Sequence, residues 1–215
     1  MSKNSHVVIV ANGRMDNPSQ FKEIVEGADI VIGADGGLKH LEKMGVAPTV
    51  MMGDFDSIES IERYQEIFPG VPVKTFEVRK DYTDSELAVR EAIKYNPKKI
   101  TLLSVMGNRM DHTLANVMLL KLIYDAGIEG VVIDECNAIR YTEHELEIEA
   151  VVGTNFSIVP VSDVVTGINL YGFDYPLMDA TLTLGSTTGI SNVFMNTVGR
   201  VSIESGRILV VQSRD

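Results

Sequence analysis

Hydrophobic positions along the chain fall into two rhythms. Up to about residue 135, short apolar runs alternate with segments whose apolar residues recur at helical spacing. The runs "HVVIVAN" (6–12), "DIVIGAD" (29–35), "TVMMGD" (49–54), "VPVKTFEV" (71–78), "KITLLSVMG" (99–107) and "GVVIDE" (130–135) predict strands. They are nearly continuous in Val, Ile, Leu and Met, as expected of strands covered on both faces. Between them, segments such as "SELAVREAIKYN" and "HTLANVMLLKLIYDAG" carry the helical period. Strand–helix alternation implies a mostly parallel sheet with right-handed crossovers. From residue 136 the period drops to two, in "NAIRYTEHELEIEAVVGTNFSIVPVS", "GINLYGFDYPL", "ATLTLGSTTG" and "RVSIESGRILVVQS". Short strands with Gly and Pro punctuation predict an antiparallel sandwich or barrel. The expected architecture is an α/β domain over residues 1–135 followed by an all-β sandwich domain over residues 136–215.

Composition narrows the function. The 215 residues are 45% hydrophobic and 23% charged, an ordinary globular balance. The formal net charge is −11, and no basic run in the N-terminal half exceeds a pair such as Lys98-Lys99. No basic stripe suits a nucleic-acid backbone. An anionic small substrate would need a metal ion to screen the protein's own acids. Cys136 is the single cysteine, so neither a disulfide framework nor a cysteine zinc cluster is expected. The first apolar run is too short for a signal peptide and no run approaches a membrane span. A cytoplasmic location, without membrane partner, is the expectation.

In an open parallel sheet, ligands bind beyond the carboxyl ends of the strands. Five successive predicted strand ends deliver polar clusters there: "ANGRMD", "GADGG", "GDFDS", "RKDYTDSE" and "GNRMDHTLAN". Together they supply Asp35, Asp54, Asp56, Asp81, Asp84 and Asp111, with Lys80, Arg109 and His112 as basic neighbours. Each cluster also has a structural explanation. Asp and Gly favour turns, Thr83 and Glu86 fit a capping box, and Asp111 suits the cap of a helix beginning near His112.

Asp54 and Asp56 flank Phe55, and a like-charged pair about 4 Å apart costs on the order of 4 kcal/mol at an effective dielectric near 20. At i and i+2 of an extended chain both side chains point the same way. Such a pair at a ligand-binding sheet edge suits Mg²⁺, which takes one or two carboxylates together with water and phosphate oxygens. Asp81 and Asp84 on the next connection would complete the shell. A GxxxxGKS/T loop is absent, and "GADGGLKH" is not GxGxxG. Gly36 and Gly37 are expected to let backbone N–H groups approach a phosphate at a helix N-terminus.

Taken together, "ADGG", "GDFDS", "KDYTDSELA", "GNRMDHTLANV" and "TTGISN", in this order and spacing, resemble the thiamine pyrophosphokinase family. The resemblance is strongest from Gly33 to Val117 and thinner in the C-terminal part, where it rests on Gly189 to Asn192. It implies pyrophosphoryl transfer from ATP to the thiamine hydroxyl, giving thiamine diphosphate and AMP. It also implies an α/β ATP-binding domain, a β-sandwich and a homodimer with active sites at its interface. Carried onto this chain, Asp54, Asp56, Asp81 and Asp84 would organise Mg²⁺ and the chemistry, with Asp81 or Asp84 as the base. Asn12, Gly13, Asp35, Gly36, Gly37, Arg109, Asp111 and His112 would hold the nucleotide, and Ser191 and Asn192 the thiamine. The chain has no Trp, whereas some relatives place one beside thiamine. Phe194 is either a substitute apolar face or a core residue. Two other readings compete: a haloacid-dehalogenase-like phosphatase using Asp54 as nucleophile and Asp56 as acid/base, and a non-enzymatic nucleotide- or metal-sensing module.

Overall fold

The computed structural model describes residues 5–77 and 81–214. Lys80 therefore lies outside the described residues. The chain divides into two compact units, Met1–Glu135 and Cys136–Asp215. Among the described residues, no helix is long and apolar enough to cross a membrane.

The first unit alternates strand and helix throughout. Its elements are β1 (His6–Val10), α1 (Lys22–Glu26), β2 (Ile30–Ala34), α2 (Gly37–Met44), β3 (Val50–Gly53), α3 (Ile61–Ile67) and β4 (Val73–Thr75). They continue with α4 (Asp84–Lys94), β5 (Lys99–Leu103), α5 (Met110–Asp125) and β6 (Glu129–Ile133). Six strands run in the order β6-β5-β1-β2-β3-β4, and every pairing is parallel. All six strands expected from the apolar runs are present. The observed strands are shorter: β5 stops where Ser104 takes φ 54°, and the edge strand β4 keeps only three residues, of which Lys74 and Thr75 are exposed.

Helix starts depart from expectation in two places. Thr83 caps α4, its hydroxyl accepting from the Glu86 amide at 3.2 Å, but the Glu86 carboxylate is engaged by Arg90 one turn on. The capping box is thus half made. Asp111 is no cap at all: α5 begins at Met110 behind Arg109, and Asp111 sits inside the first turn. There its charge still complements the helix N-terminus.

Helix α4, whose N-terminus carries Asp84, is tied to the sheet edge by charge. Glu91 is nearly buried and accepts from Lys74 of β4 at 2.5 Å and from Lys94 at 3.0 Å. Burial alone would raise the Glu91 carboxyl, yet the two lysines together hold it below its ordinary value.

The second unit contains no helix among its described residues. Strands β7 (Asn137–Thr142), β8 (Glu145–Glu149), β9 (Asn155–Pro160), β10 (Val164–Tyr171), β11 (Leu177–Thr183), β12 (Asn192–Val193), β13 (Val198–Ser202) and β14 (Ile208–Ser213) follow in order. They form the antiparallel arrays β12-β9-β14-β7 and β11-β10-β13-β8. The expected sandwich is therefore present. Alternate residues of both arrays, among them Ile148, Ile158, Ile168 and Val210, meet in one apolar core. At its centre Phe156, Phe173 and Phe194 pack with ring centroids 3.9–5.3 Å apart. Phe194 is fully buried, so it is a core residue and not an exposed face for a ligand.

Two measurements check these assignments. Phe194→Ala should cost about 3–5 kcal/mol of stability in chemical denaturation, since the emptied ring volume adds a cavity to the lost transfer energy. Glu91→Gln should cost about 1 kcal/mol at neutral pH. Because the folded Glu91 carboxyl lies below its unfolded value, its stabilisation is complete above the ordinary Glu range. It is lost as pH falls through the lowered folded value. The difference between wild type and Glu91→Gln should accordingly shrink on acidification, read by circular dichroism.

Candidate active site

Strand order places a crevice between β1 and β5. From β1 the chain moves to β2 on one side, and from β5 to β6 on the other. Loops leaving such neighbours diverge, which opens a ligand site at their carboxyl ends. A cavity of about 930 Å³ lies there. The loop after β1 contributes Asn12, Gly13 and Arg14, and the ends of β2 and β3 contribute Asp35, Asp54 and Asp56. The connection into α4 adds Asp81 to Ser85, and the loop after β5 with the start of α5 adds Asn108, Arg109, His112 and Asn116.

Asp35, Asp54 and Asp56 each offer an oxygen within 4.8 Å of the others. The expected extended geometry at Asp54 and Asp56 is not what aligns them. Phe55 takes φ 61°, so the chain turns between the two aspartates. Phe55 is buried in the core of the first unit, and anchoring its ring inward sends the flanking carboxylates toward the cavity. Asp35 also lies in the left-handed region, at φ 47°, with its amide donating to the Met52 carbonyl at 2.7 Å. Asp35 is buried. Its Oδ2 accepts from Asn12 Nδ2 at 3.4 Å, while its Oδ1 has no hydrogen-bond partner among the described residues.

A buried carboxylate oxygen left without a donor, beside two further acids, fits a hard divalent cation that prefers oxygen ligands. Each like-charged pair at this spacing costs on the order of 3 kcal/mol at an effective dielectric near 20, and a cation removes that cost. Asp81 and Asp84 line the same cavity but stand outside this tight group. Asp35, expected among the nucleotide-holding residues, stands inside it.

The remaining expected residues divide. Arg109 and His112 are on the cavity wall, whereas Asp111 is exposed beside it and forms an ion pair with Arg109 at 2.6 Å. That Arg109 hydrogen bond holds the Asp111 carboxyl below its usual range. Gly36 and Gly37 are buried behind the wall and do not line it. A Cβ on Gly36 would overlap the Asn12 side chain, and one on Gly37 the Val10 carbonyl. These glycines let α2 press against β1.

Three wall residues, Arg14, Asn108 and Asn116, lie inside the quoted clusters "ANGRMD" and "GNRMDHTLAN" without being assigned a role there. Arg14 pairs with Asp16, both well exposed, and follows the "ANG" that did draw attention. Asn116 is buried and donates to the Val105 carbonyl at 2.8 Å, anchoring α5 to the loop after β5. Asn108 belongs to a loop, where hydrophobic periodicity is silent.

In the second unit, Asp174 to Leu177 and Thr188 to Asn192 line a separate cavity of about 600 Å³. Ser191 takes φ 62° and its amide donates to Ser157 Oγ at 3.1 Å. The Asn192 side chain is buried and braces the neighbouring turn. Its Oδ1 accepts from the Tyr175 amide at 2.9 Å, and its Nδ2 donates to the Tyr175 carbonyl at 2.7 Å. The Tyr175 ring itself is exposed.

Residues 21–132 match the family model described as thiamin pyrophosphokinase, catalytic domain, and residues 143–208 match thiamin pyrophosphokinase, vitamin B1 binding domain. The chain is 32% identical to thiamine pyrophosphokinase of Bacillus subtilis (strain 168) over 209 residues, covering 96% of this chain and 98% of that one. A crystal structure of thiamine pyrophosphokinase from Bacillus subtilis aligns with TM-score 0.89 at 31% identity, covering 98% of this chain and 100% of its own. The thiamin pyrophosphokinase structure from Geobacillus thermodenitrificans aligns with TM-score 0.85 at 30% identity, covering 98% of each chain. With both units matched and relatives above 30% identity over nearly the full length, the chain belongs to the thiamine pyrophosphokinase family of enzymes.

Proposed function

We propose that this chain transfers the pyrophosphoryl group of ATP to the hydroxyl of thiamine, producing thiamine diphosphate and AMP. The observation that carries the reading is the buried, unpartnered Asp35 Oδ1 within reach of Asp54 and Asp56. These three acids would hold Mg²⁺. When bound, that ion supplies charge stabilisation on the phosphate oxygens.

The chain's own residues do the rest by position and charge, as transfers of this type demand little covalent work from protein. Asn12 orients Asp35 through its 3.4 Å hydrogen bond. Arg14, Arg109 and His112, spread over two loops and a helix start, would meet phosphate and nucleotide groups along the cavity. Asp81 or Asp84, outside the metal group, would accept the proton of the attacking hydroxyl. The thiamine ring cation favours an acidic cavity, consistent with a net charge of −11. Ser191 would contact thiamine from the second unit, with Asn192 setting the turn beside it. Family membership supports pyrophosphoryl transfer over the phosphatase reading of Asp54.

The family's homodimer extends the proposal. Met110, Leu114 and Met118 repeat along one face of α5 and are exposed, an apolar stripe that a second copy would cover. Sedimentation at micromolar concentration should give twice the chain mass, and Leu114→Glu should shift it toward the monomer. A wild type of single-chain mass would sink the dimer.

The reaction is tested by AMP release from Mg·ATP with and without thiamine. AMP should appear only with thiamine and vanish with a chelator. Asp35→Asn and Asp54→Asn should each lower kcat by about 100-fold or more, the scale of losing charge stabilisation in a closed site. Inorganic phosphate without AMP would return the phosphatase, and nucleotide binding without turnover the sensing module.

A further inference from the structure

Behind the cavity wall, the loops after β1 and β5 are joined backbone to backbone. The Ala11 amide donates to the Leu103 carbonyl at 3.0 Å, Gly13 to Ser104 at 2.6 Å and Arg14 to Met106 at 2.7 Å. The Gly13 carbonyl receives side-chain donors instead. Ser104 Oγ donates to it at 2.5 Å and His40 Nε2 lies 3.0 Å from it, with 3.0 Å between Nε2 and Oγ. A carbonyl only accepts, so Nε2 carries the ring proton.

The other ring nitrogen, Nδ1, is buried and has no hydrogen-bond partner among the described residues. A proton there would be a buried donor without an acceptor. Burial moreover lowers the His40 pKa, only partly opposed by the Gly13 hydrogen bond. His40 is thereby held as one neutral tautomer with its single donor aimed at Gly13. Ser104, the second donor, is buried and adopts φ 54°, a conformation that a non-glycine residue keeps only where its surroundings enforce it.

Neither His40 nor Ser104 lines the cavity, whereas Asn12, Gly13 and Arg14 all do. His40 lies on α2, the helix that follows Asp35, and Asn12 touches Asp35 from the other direction. The contacts close a ring: Asp35, α2, His40, Gly13, Asn12 and back to Asp35. We propose that His40 is a positioning residue of the nucleotide site. Its Nε2–H, together with Ser104 Oγ, fixes the Gly13 carbonyl and so sets Asn12 against Asp35 and Arg14 at the cavity wall. Naming the ligand as Mg·ATP rests on the function proposed above.

The test compares His40→Leu, which removes the donor, with His40→Gln, whose terminal amide supplies one without titrating. Affinity for Mg²⁺ with a non-hydrolysable ATP analogue is measured by calorimetry, alongside KM for each substrate and the melting temperature. His40→Leu should weaken nucleotide binding by about tenfold, the scale of one hydrogen bond, with KM for thiamine within about twofold of wild type. His40→Gln should recover affinity to within about threefold of wild type.

Unchanged nucleotide affinity in His40→Leu overturns the proposal, as does His40→Gln performing no better than His40→Leu. An equal rise in both KM values also overturns it, because it would mark a general loss of structure. Should His40→Leu fail to fold, Ser104→Ala removes the other donor to the same carbonyl and must show the same selective loss. Calorimetry separates the two readings. A wild type that binds nucleotide without making AMP loses the function while the variants still decide the role of His40; a wild type that binds none loses both.

Discussion

Repulsion among Asp35, Asp54 and Asp56 is the constraint around which the first unit is built. Three carboxylates within 4.8 Å do not assemble by themselves. Two of the residues that bring them together, Asp35 and Phe55, sit in left-handed backbone that costs on the order of 1–2 kcal/mol each. The surroundings offset this. The Phe55 ring is held in the core, the Asp35 amide is bonded to β3, and Gly36 and Gly37 allow α2 to close behind. Apolar burial thus holds a repulsive cluster in place, so that the geometry the proposed function requires for a cation is set before any ion arrives.

Much of this was legible in the sequence, for reasons that differ by residue. Buried parallel strands need unbroken apolar runs, and all six runs became strands. Period-two patterning gave the second unit for the same reason. Strand ends were overextended because hydrophobicity continues past the point where pairing stops, as at Ser104, where the backbone turns left-handed. Asp54 and Asp56 were found by their composition, but the geometry inferred for them was wrong: no local signal reveals that a phenylalanine between two acids will turn left-handed to reach a core.

The harder cases are residues whose importance lies in tertiary contacts. Gly36 and Gly37 read as phosphate glycines, and only the approach of Val10 and Asn12 shows what they accommodate. Asn192, expected to contact a ligand, lines the second cavity, and the grip of its amide on the backbone of Tyr175, seventeen residues earlier, is a further role that only the structure shows. Phe194 was ambiguous between face and core until its ring was found between Phe156 and Phe173. His40 left no mark in the sequence, being one polar residue in an amphipathic helix. Each depends on partners that periodicity cannot pair.

The left-handed residues at the ends of β2, β3 and β5 also bear on how the protein assembles. Such conformations persist only once neighbouring strands are in register, since an isolated segment relaxes to ordinary backbone. The acidic cluster therefore takes shape late, after the parallel sheet has condensed, and partly folded chains have no site to offer. A ligand that binds only the finished site draws the population toward the native state by mass action. Under the proposed function, substrate supply and the stability of the folded chain would be thermodynamically linked through these strand ends.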